Sequence, residues 1–264
     1  MSSTDPSRPA GSRTRSGGEG VVAAVGKDVT AGRRDPLVIK TLDFIGPMAT
    51  ADGWRPTNDL PEVAFAGRSN VGKSSLLNRL VRRKAFARVS NTPGRTREIN
   101  FFKVNGRFVL ADLPGYGYAK ISKTRKAEWL PLIEGYLRAS TALRGVVQLL
   151  DSRHHPSEED LQMLDFLADV GVPTVIVLTK IDKLRKREVP ERVHAIAVAL
   201  RMEDDQVIAF SAETNEGRDD LAEALMSLID QPSWRVAPEE PAEPGADAAP
   251  GLVDGQSSRL TPEP

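Results

Sequence analysis

Gly67-Arg68-Ser69-Asn70-Val71-Gly72-Lys73-Ser74 has the spacing of a phosphate-binding loop. Gly67 and Gly72 allow the backbone to curve so that its N–H groups surround a β-phosphate. Lys73 would reach the β- and γ-phosphate oxygens, and the Ser74 hydroxyl would ligate Mg²⁺. This stretch therefore predicts a nucleotide-binding loop.

The residues on either side of the loop support that prediction. Val63-Ala64-Phe65-Ala66 is a short apolar run typical of a strand, and Ser75-Leu76-Leu77-Asn78-Arg79-Leu80 opens a helical pattern. The positive N-terminal end of such a helix would point at the phosphates. A chance match to the loop pattern is expected in about 1% of chains of this length. The flanking strand and helix lower that figure, so nucleotide binding is favoured.

Composition excludes several classes of protein. The chain has 264 residues, 40% of them hydrophobic, which is enough for one domain with a substantial core. It has no cysteine, which excludes disulfides and thiolate metal sites and favours a reducing compartment. No apolar stretch approaches the roughly 20 residues of a membrane span, and Met1–Pro9 lack the apolar core of a secretory signal. We therefore expect a soluble, cytoplasmic protein with no membrane span.

Charge is balanced over the whole chain but unevenly distributed. There are 36 basic and 36 acidic residues. Residues 63–97 contain no Asp or Glu, whereas the chain beyond Trp234 is acidic. The nine basic residues of this stretch are Arg68, Lys73, Arg79, Arg82, Arg83, Lys84, Arg88, Arg95 and Arg97. The sequence thus predicts a basic face near the nucleotide loop.

The chain divides into one domain and two tails. Residues 1–35 are rich in Ser, Gly, Arg and Pro, and residues 235–264 are acidic and rich in Pro and Ala. Neither tail has enough apolar residues to offset the entropy of ordering, so both are predicted to be disordered. Residues 36–234 form the predicted domain.

Apolar runs alternate with helical patterns inside this domain. The predicted strands are Leu37–Ile45, Glu62–Ala66, Ile99–Val104, Phe108–Asp112, Gly145–Leu150, Thr174–Leu178 and Val207–Phe210. The predicted helices are Lys73–Arg83, Ser122–Ser140, Ser157–Val170, a stretch within Arg187–Arg201, and Gly217–Asp230. Ser157, followed three residues later by Asp160, resembles a capping box at the start of its helix.

This order predicts an α/β fold with three α/β/α layers. Alternating strands and helices imply a mostly parallel sheet, with ligand-binding loops at the carboxyl ends of the strands. Residues 99–104 and 108–112 are instead separated only by a turn around Asn105-Gly106, which predicts a hairpin. One antiparallel edge strand is therefore expected.

Asp112-Leu113-Pro114-Gly115 follows the apolar run Phe108-Val109-Leu110-Ala111, so that Asp112 ends the predicted strand. An Asp at the end of a buried strand can hold Mg²⁺ through water, and Gly115 can offer its N–H to a γ-phosphate. That second contact exists only with the γ-phosphate, which makes the segment after Gly115 a candidate switch. The alternative is an ordinary turn, but the neighbouring phosphate loop favours the nucleotide role.

Two later segments are candidates for the base-binding site. In Thr179-Lys180-Ile181-Asp182, the Asp182 carboxylate can accept hydrogen bonds from guanine N1–H and the exocyclic amino group, donors that adenine lacks at that edge. The stem of Lys180 can lie along the base plane. Ser211-Ala212-Glu213 follows the predicted strand Val207–Phe210, and the Ala212 N–H could donate to guanine O6. Taken alone, Asp182 is equally compatible with a helix cap.

Asn91-Thr92-Pro93-Gly94-Arg95-Thr96-Arg97-Glu98 is polar, rich in turn residues, and placed where a mobile loop would reach over Mg²⁺. Thr96 is a candidate hydroxyl ligand of the ion, to be released when the γ-phosphate is lost. A basic surface loop is the alternative interpretation.

In this order of motifs the chain resembles the EngB (YihA/YsxC) family of bacterial GTPases, within the TrmE-Era-EngA-EngB-Septin-like superfamily. The similar motifs are G-R-S-N-V-G-K-S, N-T-P-G-R-T-R-E-I-N-F-F, D-L-P-G-Y-G-Y-A, T-K-I-D and F-S-A-E. The similarity covers roughly Leu37 to Trp234, and neither tail matches. Ile181 stands where many members have Ala, which should not disturb the base contact.

The resemblance implies a P-loop NTPase G domain that hydrolyses GTP with Mg²⁺. It further implies a role in large ribosomal subunit assembly and a link to cell division septum formation. Carried over to this chain, Ser74 and Thr96 ligate Mg²⁺, while Lys73, Thr96 and Gly115 serve catalysis. The implied nucleotide contacts are Gly67–Ser74, Gly94–Glu98, Asp112–Gly115, Thr179–Asp182 and Phe210–Ala212.

Tyr116 occupies the position where many GTPases have a Gln that orients the attacking water. A phenol cannot act as a carboxamide does, so slow intrinsic turnover is predicted, with Lys73, Mg²⁺ and loop N–H groups supplying the electrostatic stabilisation. Asn70 raises a second hypothesis, in which a K⁺ ion is held beside the phosphates. Equal rates of GTP hydrolysis in potassium and in sodium would contradict it. A plain loop-stabilising role for Asn70 is the alternative.

Two functions are compatible with these motifs. In the first, GTP orders residues 91–98 and 115–126 and creates a surface for rRNA or proteins of the large ribosomal subunit or its precursor. Basic residues of 79–97, with Lys120, Lys123, Arg125 and Lys126, would then contact RNA phosphates. In the alternative, the protein is a GTP-dependent interaction scaffold in cell division without direct RNA contact. A monomer with no DNA partner is expected in both.

Overall fold

The protein's structure, a computed structural model, describes residues 35–56, 59–82, 98–117 and 123–235, with residues 123–130 described in their backbone only. The strands are β1 (Leu42–Met48), β2 (Glu62–Gly67), β3 (Ile99–Val104), β4 (Phe108–Asp112), β5 (Leu143–Asp151), β6 (Thr174–Thr179) and β7 (Val207–Ala209). The helices are α1 (Lys73–Leu80), α2 (Lys123–Ala139), α3 (Glu158–Val170), α4 (Glu188–Leu200) and α5 (Arg218–Asp230). Both predicted tails lie outside the described residues, apart from Asp35 and Arg235.

All seven strands form one sheet in the order β1-β3-β4-β2-β5-β6-β7. Strands β4, β2, β5, β6 and β7 pair in parallel, and β3 runs antiparallel to β4. The predicted hairpin is thus confirmed, and its turn residues Asn105 and Gly106 have the positive φ angles, 52° and 64°, that a tight hairpin needs. The antiparallel strand is β3, and β1 pairs along its outer side.

Helices cover both faces of the sheet, as the alternating pattern predicts. Every residue of β2 and β4 is buried, which explains their nearly continuous apolar sequences. Leucines of α1 and α5, such as Leu76 and Leu225, pack on one face with Phe65 of β2. Residues of α2 and α3, such as Ile133 and Met163, pack on the other face with Ala64. Alternate residues of β2 therefore point to opposite layers, which gives the three-layer α/β/α architecture.

The first strand differs most from its prediction. Leu37–Ile45 was the predicted range, but β1 begins only at Leu42 and continues to Met48. The backbone N–H groups of Lys40 and Thr41 donate to the side chain of Asn105, at 2.7 Å and 3.1 Å, instead of to a neighbouring strand. Further along, the pairing register shifts around Gly46. A side chain there would meet the Trp54 ring at 2.7 Å, so glycine allows the strand to continue.

Helix boundaries follow local backbone geometry. Helix α1 was predicted to reach Arg83 but ends at Leu80, and Arg82 has a left-handed φ of 51°. Helix α3 has the predicted capping box, in which Ser157 and Asp160 bond each other's backbone N–H groups. Among the residues that the structure describes, no helix has both the length and the apolar character needed to cross a membrane.

The start of α5 is tied to the start of the described chain. Arg218 is 3% exposed, and its guanidinium pairs with Asp35 and donates to the carbonyl oxygens of Leu37 and Leu80. These contacts hold the start of α5 beside the end of α1, on the face of the sheet where both helices pack.

Candidate functional site

The phosphate loop joins β2 to α1 through a backbone that only particular residues can adopt. Asn70 and Gly72 have φ angles of 68° and 106°. A side chain at Gly67 would lie 2.9 Å from the Val71 side chain, so the loop requires glycine there. Helix α1 begins at Lys73, and its N-cap residue, Gly72, has no side chain with which to cap the first turn. Its backbone N–H groups are therefore available to an anion.

Lys73 and Asp112 form an ion pair beside this loop. They meet because β2 and β4 are neighbouring parallel strands, whose carboxyl ends lie at the same edge of the sheet. Asp112 is 5% exposed, and the Lys73 side chain is partly buried, at 12% exposed. The predicted phosphate-binding lysine and the predicted magnesium carboxylate are therefore brought together.

Ser74 and Asp112 are of the residue types that hold a magnesium ion together with phosphate oxygens. Mg²⁺ in nucleotide sites is held by one or two protein oxygens together with the phosphates. Ser74 supplies a hydroxyl next to Lys73, and Asp112 supplies a carboxylate. Within residues 35–56, 59–82, 98–117 and 123–235, no group of three or more His, Cys, Asp or Glu residues is arranged to bind a metal by itself.

The segment after Asp112 lies directly along the phosphate loop. The Ser69 N–H donates to the Tyr116 carbonyl oxygen at 2.7 Å, and the Ser69 hydroxyl donates to the Gly115 carbonyl oxygen at 3.2 Å. In return the Tyr116 N–H donates to the carbonyl oxygen of Gly67 at 3.3 Å. A side chain at Gly115 would lie 3.1 Å from the Ser69 hydroxyl, so this close approach favours glycine.

The Tyr116 side chain is buried in the core between the sheet and α2 and α3. It is 1% exposed, and its hydroxyl donates to Asp160 Oδ1 at 2.8 Å. The Gln148 side chain amide donates to the same hydroxyl. Burial, together with the nearby Asp160 carboxylate, raises the pKa of Tyr116, so the phenol stays protonated. The position that holds Gln in many GTPases is therefore occupied by a packing residue here.

Thr179 and Lys180 connect β6 to the phosphate loop. The Thr179 hydroxyl lies 2.6 Å from the Val71 carbonyl oxygen. Lys180 has a left-handed φ of 63°, and its ammonium group donates to the Asn70 carbonyl oxygen at 2.5 Å. The base-binding segment predicted from sequence thus lies against the phosphate-binding segment.

Asp151 is a site residue to which the sequence assigned no role of its own. It ends β5, next to β6. Its carboxylate accepts from the Lys180 ammonium at 2.9 Å and from Nε and Nη2 of Arg153 at 2.9 Å and 2.7 Å. Partial burial raises the pKa of Asp151, but the hydrogen bonds from Arg153 and Lys180 lower it by a larger amount. The pKa of Asp151 is therefore well below its usual value. The sequence feature that could have identified Asp151 is its position at the end of an apolar run, which it shares with Asp112.

Asp182 is held by the other predicted base-binding segment. Its Oδ1 accepts a hydrogen bond from the Ser211 hydroxyl at 2.8 Å, and its Oδ2 lies 3.0 Å from the Lys183 ammonium. Partial burial raises the pKa of Asp182, but these two partners lower it by more, so the carboxylate is ionised at neutral pH. Phe210 joins the segments through its carbonyl oxygen, which accepts from the Ile181 N–H at 3.4 Å.

One predicted segment is not placed. Gly94, Arg95, Thr96 and Arg97 lie outside the described residues, and only Glu98, just before β3, falls within them. The assignment of Thr96 to magnesium and catalysis therefore stays a prediction. The candidate switch is described only as far as Gly117 and again from the backbone of Lys123.

Comparison with known proteins gives consistent relatives. Residues 62–180 match the model of a family described as 50S ribosome-binding GTPase. A probable GTP-binding protein EngB of Gemmatimonas aurantiaca is 65% identical over 204 residues, which cover 77% of this chain and 100% of the relative. The protein of the same description from Geobacter sp. strain M21 is 48% identical over 211 residues, covering 79% and 98%.

Solved structures share the fold. A crystal structure of a probable GTP-binding protein EngB aligns with a TM-score of 0.56 at 24% identity, covering 64% of this chain and 98% of that one. Era of Aquifex aeolicus aligns with a TM-score of 0.52 at 21% identity, covering 65% and 57%. Both have the α/β sheet architecture described above.

Proposed function

Because the chain belongs to the EngB family of GTP-binding proteins, as its motifs predicted, we propose that it is a Mg²⁺-dependent GTPase switch in assembly of the large ribosomal subunit. The observation that carries this proposal is the meeting of four sequence segments at one edge of the sheet. The ion pair of Lys73 with Asp112 marks the phosphate end. The hydrogen bond of Ser211 with Asp182 marks the base end, and Lys180 joins the two through the Asn70 carbonyl.

Guanine is the base that these groups suit. The Asp182 carboxylate, ionised and fixed by Ser211, would accept hydrogen bonds from guanine N1–H and the 2-amino group. Adenine presents neither donor at that edge, so its binding would desolvate the carboxylate without supplying the two hydrogen bonds that guanine gives. The Ala212 N–H would donate to guanine O6, and the Lys180 stem would lie along the base.

At the phosphate end, Lys73 and the N–H groups of the loop would bind the β- and γ-phosphate oxygens. Magnesium, when bound, neutralises the phosphate charge that develops during hydrolysis. The residues that would hold it are Ser74, Asp112 through water, and Thr96, which lies outside the described residues. Gly115 would direct its N–H to the γ-phosphate.

Slow hydrolysis by the isolated protein is part of this proposal. The Tyr116 side chain is bonded to Asp160 and Gln148 in the core, so it is unable to orient a water molecule at the phosphates. Replacing it by phenylalanine should leave the rate of GTP hydrolysis unchanged within about threefold. The same change should lower the free energy of unfolding by about 1–3 kcal/mol, because it removes a buried hydrogen-bonding partner.

Urea unfolding and single-turnover hydrolysis measure these two effects separately. A marked fall in the hydrolysis rate of Tyr116→Phe without loss of stability would show that the phenol takes part in the reaction. A turnover of several per second by the wild-type protein would contradict slow hydrolysis itself.

The partner proposed is the large ribosomal subunit or its precursor. The match of residues 62–180 to a family described as 50S ribosome-binding GTPase supports this choice. GTP would order residues 91–98 and 115–126, and the adjoining basic side chains would contact rRNA phosphates or ribosomal proteins. On this view residues 36–234 act in the cytoplasm as a monomeric domain, and the protein is linked to normal septum formation in cell division.

Gradient sedimentation tests the choice of partner. With a non-hydrolysable GTP analogue the protein should migrate with the large subunit or its precursors, and with GDP it should remain at the top of the gradient. Raising the salt concentration should release it steeply if phosphate contacts dominate. Migration that is independent of nucleotide, or absent, would favour the alternative scaffold in cell division.

A further inference from the structure

Arg79 makes a contact that none of the sequence motifs assigns. It lies in the last turn of α1, and its side chain reaches the loop that follows β7. The guanidinium Nε donates to the Ala212 carbonyl oxygen at 2.6 Å, and Nη2 lies 3.5 Å from the Glu213 carbonyl oxygen. These partners are 133 and 134 residues away in sequence.

The peptide group between Ala212 and Glu213 is consequently held at both ends. Its carbonyl oxygen accepts from Arg79, and its N–H, on Glu213, donates to the Ser211 hydroxyl oxygen at 3.1 Å. That hydroxyl in turn donates to Asp182 Oδ1 at 2.8 Å. A continuous series of hydrogen bonds therefore connects α1 to the carboxylate at the base end of the site.

Helix α1 is also the helix that begins at Lys73. From Lys73 to Arg79 is six residues, or about 9 Å at the rise of an α-helix. One rigid element thus carries the phosphate-binding lysine at its start and the contact to the base loop near its end. This helix therefore contacts both halves of the site.

We propose that Arg79 is a positioning residue for guanine selection. It fixes the loop at Ala212, so that Ser211 holds the Asp182 carboxylate and the Ala212 N–H faces the base. This inference rests on the proposed function, in which Asp182 and Ala212 contact guanine. Arg79 would act through the loop rather than on the nucleotide, because its guanidinium donates to backbone carbonyl oxygens. It is therefore engaged inside the protein, unlike the basic residues of 79–97 expected to contact RNA.

Nucleotide competition distinguishes this role from general support of the fold. In Arg79→Gln the Kd for GDP, measured by displacement of a fluorescent GDP, should rise about tenfold, as expected for loss of a charge-assisted hydrogen bond. The Kd for ADP, whose base offers no donor to Asp182, should stay the same. The preference for GDP over ADP should therefore narrow about tenfold, and Arg79→Lys, which keeps one cationic donor, should lie between the two.

Arg107→Gln is the matched control, since it makes the same substitution at an exposed arginine that pairs with Asp230 rather than with the loop after β7. It should leave both nucleotide affinities unchanged. Hydrogen–deuterium exchange provides a second measurement on the same proteins. In Arg79→Gln the peptide covering residues 207–217 should exchange faster, while the peptide covering Glu62–Gly67 should not change.

Each outcome is decisive. An equal loss of GDP and ADP affinity would mean that Arg79 supports the phosphate loop, and an unchanged GDP preference would mean that it has no role in selection; either result overturns the proposal. A wild-type protein that binds ADP as well as GDP would instead overturn the proposed function. The wild-type affinities therefore separate the two failures.

Discussion

Asp182→Asn should weaken GTP binding about 1000-fold and create a preference for xanthine nucleotides. The carboxylate would accept two hydrogen bonds from guanine, each contributing about 1.5–3 kcal/mol when one partner is charged, and 1.4 kcal/mol corresponds to tenfold in affinity. An amide at this position can still accept from Ser211, so the loop should keep its structure. The new amide can also donate to the 2-oxo group of xanthine.

Calorimetric titration of both proteins with GTP and XTP measures this change. Asp204→Asn is a suitable control, because Asp204 is an exposed carboxylate that pairs with His194 rather than with a site residue. If Asp182→Asn bound GTP within threefold of the wild type, the carboxylate would not be the group that reads guanine.

Lys73→Ala should lower the rate of GTP hydrolysis at saturating GTP by about 100- to 1000-fold, the usual effect of removing one donor to the charge of the transition state. Lys73 is the side chain that begins α1, and it is also the cationic partner of the buried Asp112 carboxylate. Removing it would leave that carboxylate without its ion pair. We therefore expect weaker nucleotide binding together with slower hydrolysis.

Single-turnover hydrolysis over a range of GTP concentrations separates the two effects. Lys186→Ala, which removes an exposed lysine, should match the wild type in both. A hydrolysis rate reduced less than threefold at saturation would show that Lys73 contributes to binding alone.

Most of the sheet could be predicted from the sequence because its strands have strong local patterns. Strands β3 and β4 have the predicted bounds, since the Asn105-Gly106 turn between them fixes where each must begin or end. The predicted bounds of β1 were wrong because the Asn105 side chain accepts hydrogen bonds from the backbone of Lys40 and Thr41, just before the strand begins. Such a contact between distant residues leaves no periodic signal in the sequence.

The same distinction applies to the functional site. Motifs placed Lys73, Asp112 and Asp182 at one edge of the sheet, because each follows a strand with an apolar pattern. The direction of the Tyr116 side chain and the contact of Arg79 with Ala212 depend instead on which helix packs beside which loop. Tertiary packing determines these features, and local patterns do not encode it.

The enclosed guanidinium of Arg218 sets a practical limit for protein engineering. A recombinant protein shortened from its amino terminus should retain Asp35, because that carboxylate pairs with the Arg218 guanidinium. The guanidinium also donates to the carbonyl oxygen of Leu37, two residues further along the chain. Deleting Asp35 would leave a cation inside the molecule with a weaker set of counter-charges, which is costly for folding. Trimming before Asp35, by contrast, leaves this ion pair intact.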